Sequence, residues 1–203
     1  MAHERAGAEH YYTATPHSEH RPASVAFSYR GHALVLETDS GVFSRTELDR
    51  GTELLLNALP ADMSGTVLDM GCGYGAIGVA VGCAYPACTV VMADINERAV
   101  ALAVANARSN GVRAEALASD GFQALAGRTF DLILQNPPIR AGKQTIYAMF
   151  SDAARALAPD GAFMLVIRKR QGAESAQSYL RTIFRRVDAV DKSGGYWILR
   201  CTQ

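Results

Sequence analysis

No apolar run in the 203 residues approaches the ~20 that a bilayer-spanning helix requires. The longest, around positions 76–85, contains two glycines and stops at Pro86. The first twenty residues lack the hydrophobic segment of a secretory signal. Neither a membrane nor a secreted protein is expected, and a cytoplasmic one is. Net charge is also missing, because 20 Lys and Arg face 20 Asp and Glu. Bulk attraction to nucleic acid is thereby excluded, and any such binding must rest on a local patch. The four cysteines (Cys72, Cys83, Cys88 and Cys201) form no CxxC pair. Reduced thiols are expected of them, not a disulfide framework. His17 and His20 have metal-compatible spacing but no cysteine or carboxylate cluster beside them, so no metal site is expected.

What is present is the composition of a globular chain, 49% hydrophobic and 20% charged. Its length suits one domain. Residues 1–22 are small and polar, with four histidines and two prolines, and are expected to be flexible. Residues 23–203 then form a single domain. SVAFSY and HALVLET alternate about Arg30-Gly31, which predicts a β-hairpin within about 24–45. TELLLNAL, closed by Pro60, predicts a helix.

Further on the pattern becomes regular. Strands are expected at Thr66–Met70, Thr89–Ala93, Ala114–Ala118, Phe130–Leu134 and Ala162–Ile167. Helices are expected at Ala76–Ala84, after the cap Asn96, from about Gln144 to Leu157, and at Ser175–Phe184. Val187–Val190 and Tyr196–Leu199 flank Gly194-Gly195 as a terminal antiparallel hairpin. Alternation of this kind predicts an α/β, doubly wound, mostly parallel sheet with right-handed crossovers. Ligands of such sheets bind beyond the carboxyl ends of the strands.

The first of these strands runs into Asp69-Met-Gly71-Cys-Gly73-Tyr-Gly75-Ala-Ile-Gly78. Gly73, Gly75 and Gly78 satisfy GxGxxG, and Asp94 follows at the end of the next strand, so a dinucleotide-dependent oxidoreductase has to be weighed. Asp69 argues against it. A carboxylate at the mouth of the loop repels a pyrophosphate, where a helix N-terminus should attract anions. S-adenosylmethionine carries a sulfonium and an ammonium instead, and opposite charge favours it by on the order of a few kcal/mol at an effective dielectric of about 20. Asp94 is positioned to accept both ribose hydroxyls, with Ile95 against the adenine. Asp120, before Gly121, can accept from the adenine amino group.

The fourth strand ends in Asn136-Pro137-Pro138-Ile139. Two prolines past a buried strand are rigid and extended, and they hold Asn136 at the sheet edge. An exocyclic amine on a planar ring is a poor nucleophile because its lone pair is conjugated. Two acceptors, the Asn136 side-chain oxygen and the Pro137 carbonyl, can take its two N–H bonds and aim the lone pair for in-line displacement. Asn136 and Pro137 are therefore the catalytic candidates.

These segments resemble the class I S-adenosylmethionine-dependent methyltransferases of the small methyltransferase group, whose members include the ribosomal small-subunit guanine-N2 methyltransferases. The resemblance lies in TDSGVFS (38–44), Asp49-Arg-Gly-Thr52, VLDMGCGYGAIG (67–78), ADIN (93–96), QNPPIRAGK (135–143) and GYWILR (195–200). It covers about 24–203. It implies a seven-stranded Rossmann-like methyltransferase sheet, with Asp69, Gly71, Gly73 and Gly75 framing the methionine part of the donor. Asp94 would then hold ribose, Asp120 adenine and Asn136-Pro137 the target amine, with S-adenosylhomocysteine as product. Ribosomal members often carry a second, duplicated domain, which is not found here. Ile139 stands where methylators of adenine or glutamine have an aromatic residue to stack an extruded base, which favours guanine N2.

Local basic groups supply what bulk charge does not. Arg140 and Lys143 follow the NPPI loop, and Arg168, Lys169 and Arg170 leave the fifth strand. Together they are expected to contact phosphates of ribosomal RNA or a small ribosomal subunit. Pro138, Ile139 and Phe43 are expected on the substrate side, in a monomer or homodimer. The alternatives are methylation of a small metabolite or a protein side-chain amide, donor binding without catalysis, and the oxidoreductase.

Overall fold

The computed structural model describes residues 18–203. Of the segment 1–22 expected to be flexible, residues 1–17, His17 among them, lie outside the described residues. The domain opens with an antiparallel hairpin, β1 (Ala23–Tyr29) and β2 (His32–Thr38). Both turn residues have positive φ, Arg30 at 46° and Gly31 at 83°, which matches the right-handed twist of the flanking strands. The Arg30 guanidinium offsets the strain of that turn. It donates to the carbonyls of Leu59 at 3.0 Å and Pro60 at 2.8 Å and fastens the hairpin to the end of α1 (Arg50–Asn57).

The strands β3 (Gly65–Met70), β4 (Cys88–Asp94), β5 (Ala114–Ala118), β6 (Phe130–Gln135), β7 (Leu157–Arg168), β8 (Arg186–Ser193) and β9 (Tyr196–Thr202) form one sheet in the order β5-β4-β3-β6-β7-β9-β8. The first five are parallel, and β9 runs antiparallel to β7 and β8. The crossovers are α2 (Ala76–Ala84), α3 (Glu97–Ser109) and α4 (Lys143–Arg155), and α5 (Ala173–Leu180) precedes the terminal hairpin.

Side chains alternate along each strand between two cores, as a sheet covered on both faces requires. Val67, Val90, Met92, Leu134 and Met164 pack with the hairpin, α1, α2 and α3. Leu68, Val91, Ile133, Phe163 and Leu165 pack with α4 and α5. The expected architecture is the one observed.

Some element boundaries differ. The helix expected to reach Leu157 ends at Arg155, and β7 already starts at Leu157. Pro159-Asp160-Gly161 therefore does not halt a helix. It bulges β7, whose pairing steps from Phe130↔Leu157 to Leu132↔Ala162. The last helix stops at Leu180 and not Phe184, because the chain tightens into turns in which Thr182 N donates to Tyr179 O at 2.9 Å and Ile183 N to Leu180 O at 3.0 Å.

Candidate active site

A cavity of about 300 Å³ opens at the carboxyl ends of β3, β4, β5 and β6. Its floor is the loop between β3 and α2. Gly71 and Gly73 line it at φ 73° and 55°, and a Cβ built on either would point into open space. Their side is thus left clear for a ligand to approach the backbone. Gly75 does other work. It begins α2 at φ 91°, and a Cβ there would meet Ala103 Cα and Met92 Sδ, both at 3.2 Å. It lets α2 and α3 close against β4 and does not line the cavity.

Asp69 is also placed differently from the expectation. Its side chain is 1% exposed and lies beneath the loop, where Oδ2 accepts from Gly78 N at 2.9 Å. Oδ1 has no partner among the described residues. Burial raises the Asp69 carboxyl to about 7, against the Gly78 hydrogen bond and with help from nearby Asp94. The acid supports the loop from below, and so does not stand at its mouth. Strand alternation explains this, since Asp69 shares the face of Val67 that packs on α2.

Asp94 does reach the cavity. Its Oδ2 accepts from Gly73 N at 2.8 Å and its Oδ1 from Asn96 N at 2.9 Å. The carboxylate thus ties the glycine loop to the start of α3. Burial raises its pKa, and the backbone donors of Asn96, Gly73 and Ile95 partly offset that. Each oxygen keeps lone pairs for further donors. Asn96 caps α3, accepting from Arg98 N at 3.0 Å, as expected. Ile95, Asp120 and Gly121 line the same cavity, with Ile77 and Met149 adding apolar wall.

A second cleft, of about 380 Å³, adjoins the first and shares Val42, Phe43, Ser44, Asp49 and Asn136 with it. Pro137, Ile139, Arg140, Arg168 and Tyr196 line this cleft and not the first cavity. Pro138, expected beside the acceptor, lines the first cavity. Lys143 reaches neither. A one-turn 3₁₀ segment at Ile139–Ala141 and Gly142 at φ 93° swing the chain into α4, and the Lys143 ammonium lies 5.1 Å from the ring centre of Tyr147.

Asn136 stands where the two spaces meet. Its Nδ2 donates to Asp49 Oδ2 at 2.9 Å and to Thr52 Oγ1 at 3.0 Å. Asp49 also caps α1, accepting from Thr52 N at 3.0 Å. Sequence reasoning gives Asp49 and Thr52 no site role. Their signal is present, a helix cap set five positions ahead of the apolar stretch that begins at Leu54, but nothing local links it to Asn136. Val42 and Ser44 escape it too. They reach the cavities because the segment after β2 is pinned to α3 by Asn96 Nδ2 on Gly41 O and Arg98 on Ser40 O, both at 2.9 Å. Ahead of it, His20 and Arg21 N bind the buried Asp39. No group of three metal-ligating side chains occurs among the described residues, nor is any helix there long and apolar enough to cross a membrane.

Known proteins resemble the chain in sequence and in fold. The family model described as "Methyltransferase small domain" matches residues 33–200. The uncharacterized protein YbxB of Bacillus subtilis (strain 168) is 40% identical over 195 residues, covering 95% of this chain and 97% of YbxB. Ribosomal RNA small subunit methyltransferase C of Pasteurella multocida (strain Pm70) is 46% identical over 112 residues, 55% of this chain but 34% of that protein. Among solved structures, the T. thermophilus 16S rRNA N2 G1207 methyltransferase (RsmC), in complex with AdoMet and guanosine, superposes with a TM-score of 0.82 at 26% identity. That match covers 93% of this chain and 52% of the other. The match thus spans about a third of the Pasteurella methyltransferase and about half of the solved one.

Proposed function

The chain belongs to the methyltransferase small domain family, and from that premise we propose that it methylates an exocyclic amine on a planar ring, N2 of guanine in small-subunit ribosomal RNA, with S-adenosylmethionine as donor. The donor fits the first cavity on the structure's own terms: two glycines with room where a side chain would stand, a buried carboxylate with spare acceptor capacity, and an apolar wall. Gly71 and Gly73 would hold its methionine part, Asp94 its ribose, and Ile95, Asp120 and Gly121 its adenine. When bound, it supplies a methyl group on a positively charged sulfur.

The observation that carries the reading is the hydrogen bonding of Asn136. Its amide hydrogens are taken by Asp49 and Thr52. Because a carboxylate can only accept, the amide orientation follows from chemistry. The oxygen remains as the acceptor at the junction of the two spaces. It can take one N–H of the target amine, and the carbonyl of Pro137, in the second cleft, can take the other. The nitrogen then pyramidalises and its lone pair becomes available for in-line attack. The proton leaves after attack, so a strong general base is not needed. Phe43, Ile139 and Tyr196 offer apolar surface to a planar ring, and Arg140 and Arg168 provide positive charge at the cleft rim.

The names of relatives support guanine in ribosomal RNA as the acceptor, since a 16S rRNA N2 methyltransferase is among the solved structures that resemble the chain. Transfer of a tritiated methyl group to small subunits and to free RNA, followed by nucleoside analysis, tests this. N2-methylguanosine is expected, and replacing Asn136 by Ala should reduce it by orders of magnitude while S-adenosylhomocysteine affinity stays near that of the parent. Label in a small metabolite or a protein amide, with none in RNA, would overturn the RNA assignment.

A further inference from the structure

We propose that the recess walled by Arg168, Lys169, Arg170 and the Gly194-Gly195 turn is a phosphate subsite that holds the ribose-phosphate backbone beside the target base, an assignment that rests on the nucleic-acid reading above. The recess encloses about 630 Å³ at the carboxyl end of β7. It shares Arg168 and Tyr196 with the acceptor cleft, so a chain whose base occupies one passes its backbone to the other. Three consecutive cations line it, and Glu174 is the only acid among its lining residues. Glu174 sits 3.8 Å from the Lys169 ammonium, and both groups are exposed. Such a pair contributes little and yields easily to a phosphate.

The wall is built to hold its shape. Arg168 ends β7 opposite Tyr196, and Lys169 N donates to Gly195 O at 2.8 Å, which fixes the hairpin turn against the basic run. The Arg168 guanidinium lies 4.8 Å from the Tyr196 ring centre, and its Nε donates to the Tyr196 hydroxyl at 2.6 Å. One edge of the guanidinium is thereby used for orientation, and its two terminal nitrogens form the fork that matches phosphate geometry. Tyr196 is itself wedged against α1, its ring 3.1 Å from where a Cβ on Gly51 would be. Stacking on Tyr196 therefore positions Arg168 relative to the same helix start that holds Asn136. A free nucleoside would fill the cleft and leave the recess unused, whereas an oligonucleotide engages both.

The test uses a short hairpin oligoribonucleotide with an unpaired guanosine in its loop, titrated over a range of KCl concentrations. Log affinity for the parent protein should fall steeply with log salt. The double variant Lys169→Gln/Arg170→Gln should bind more weakly, with the slope reduced by about 1.4, or about 0.7 for each single-strand phosphate that is no longer neutralised. A charge-matched control, Arg181→Gln/Arg185→Gln, removes cations beyond the far end of α5 and should leave the slope unchanged. Calorimetry with S-adenosylhomocysteine should give the same affinity for all three proteins. Identical slopes for parent and recess variant, or an equal reduction in the control, would overturn the subsite. So would tighter binding of polyglutamate than of RNA through the same two cations. A flat salt dependence in the parent protein marks a different failure, that of the nucleic-acid reading itself.

Discussion

The amide nitrogen of Asn136 lies 2.9 Å from a carboxylate oxygen of Asp49, a residue 87 positions earlier in the chain. This hydrogen bond couples the cap of α1 to the loop after β6 and fixes which end of the amide is left to work. A hydrogen bond to a charged partner contributes about 1.5–3 kcal/mol, enough to keep the amide from flipping. Asp49→Ser preserves a capping oxygen for Thr52 N but withdraws the charge. The expected result is a kcat lower by about 10- to 100-fold, with the melting temperature shifted little. Thr52→Val, which keeps shape and removes one acceptor, should lower kcat by about tenfold. Asparagine at 136 held by these two partners predicts that neither variant changes S-adenosylhomocysteine affinity as much as it changes kcat, which calorimetry beside initial rates would check.

Asp69 makes stability depend on pH in a direction opposite to that of an ion-paired acid. Its folded-state pKa of about 7 lies above the ordinary 3.8, so between those values the folded protein binds more protons than the unfolded chain. The stabilising contribution of the neutral acid is complete below about pH 4 and is lost as pH rises through about 7. At about 1.4 kcal/mol per pKa unit the full span is about 4 kcal/mol. Asp69→Asn keeps an acceptor for Gly78 N and cannot ionise. Denaturant unfolding at a series of pH values should show the stability difference between parent and variant changing across that window. A constant difference would count against a buried, ionisable acid under the loop.

Much of the site is readable from residue order, and the misplacements have physical causes. Strand ends locate a ligand site because parallel strands all deliver their loops to one edge, and so Gly71, Gly73, Asp94, Ile95, Asp120 and Asn136 line one cavity. Reading Asp69 as a gate uses its position at the end of β3 and ignores strand alternation, which sends it to the side of Val67 and under α2. Lys143 follows the NPPI loop closely in sequence, but a 3₁₀ turn and a glycine redirect the chain within four residues. The Asp49–Asn136 hydrogen bond has no sequence signal at all. It depends on how α1 packs across β7, a relation between elements far apart in sequence.

The glycines of the loop divide into two kinds, and alanine tells them apart. At Gly75 a methyl group would press on Ala103 and Met92 at 3.2 Å with φ at 91°. Gly75→Ala should destabilise the fold by about 1–3 kcal/mol through overpacking and strain. At Gly73 φ is 55° and the methyl group meets no protein atom within 4 Å. Gly73→Ala should cost only the left-handed strain of about 1–2 kcal/mol, while filling the space a donor needs. S-adenosylhomocysteine affinity should therefore drop at least tenfold for Gly73→Ala. Paired thermal melts and calorimetry would show stability carrying one variant and affinity the other.

Asn106 joins the N-terminal hairpin to the glycine loop through one fully buried amide. Its Oδ1 accepts from Glu37 N at 2.7 Å, and its Nδ2 donates to Glu37 O at 2.9 Å and Tyr74 O at 2.8 Å. The amide thus continues the hydrogen-bonding edge of β2 as another strand would, and passes that registration to the loop that carries Gly73. Replacing it by Leu keeps the volume but strands three backbone groups, at about 1–3 kcal/mol for each that water does not reach. The effect should not be spread evenly. The hairpin amides should exchange with solvent faster, because β1 and β2 form a separate two-stranded sheet and such a pair is marginal without its supports. Donor affinity should fall with it, since Val42, Phe43 and Ser44 follow directly from β2 into the cavity wall. Hydrogen exchange of Asn106→Leu resolved by residue is the decisive measurement. Faster exchange confined to 23–38, together with weaker S-adenosylhomocysteine binding, marks Asn106 as the link, and uniform acceleration over the whole sheet would show a defect of the core instead.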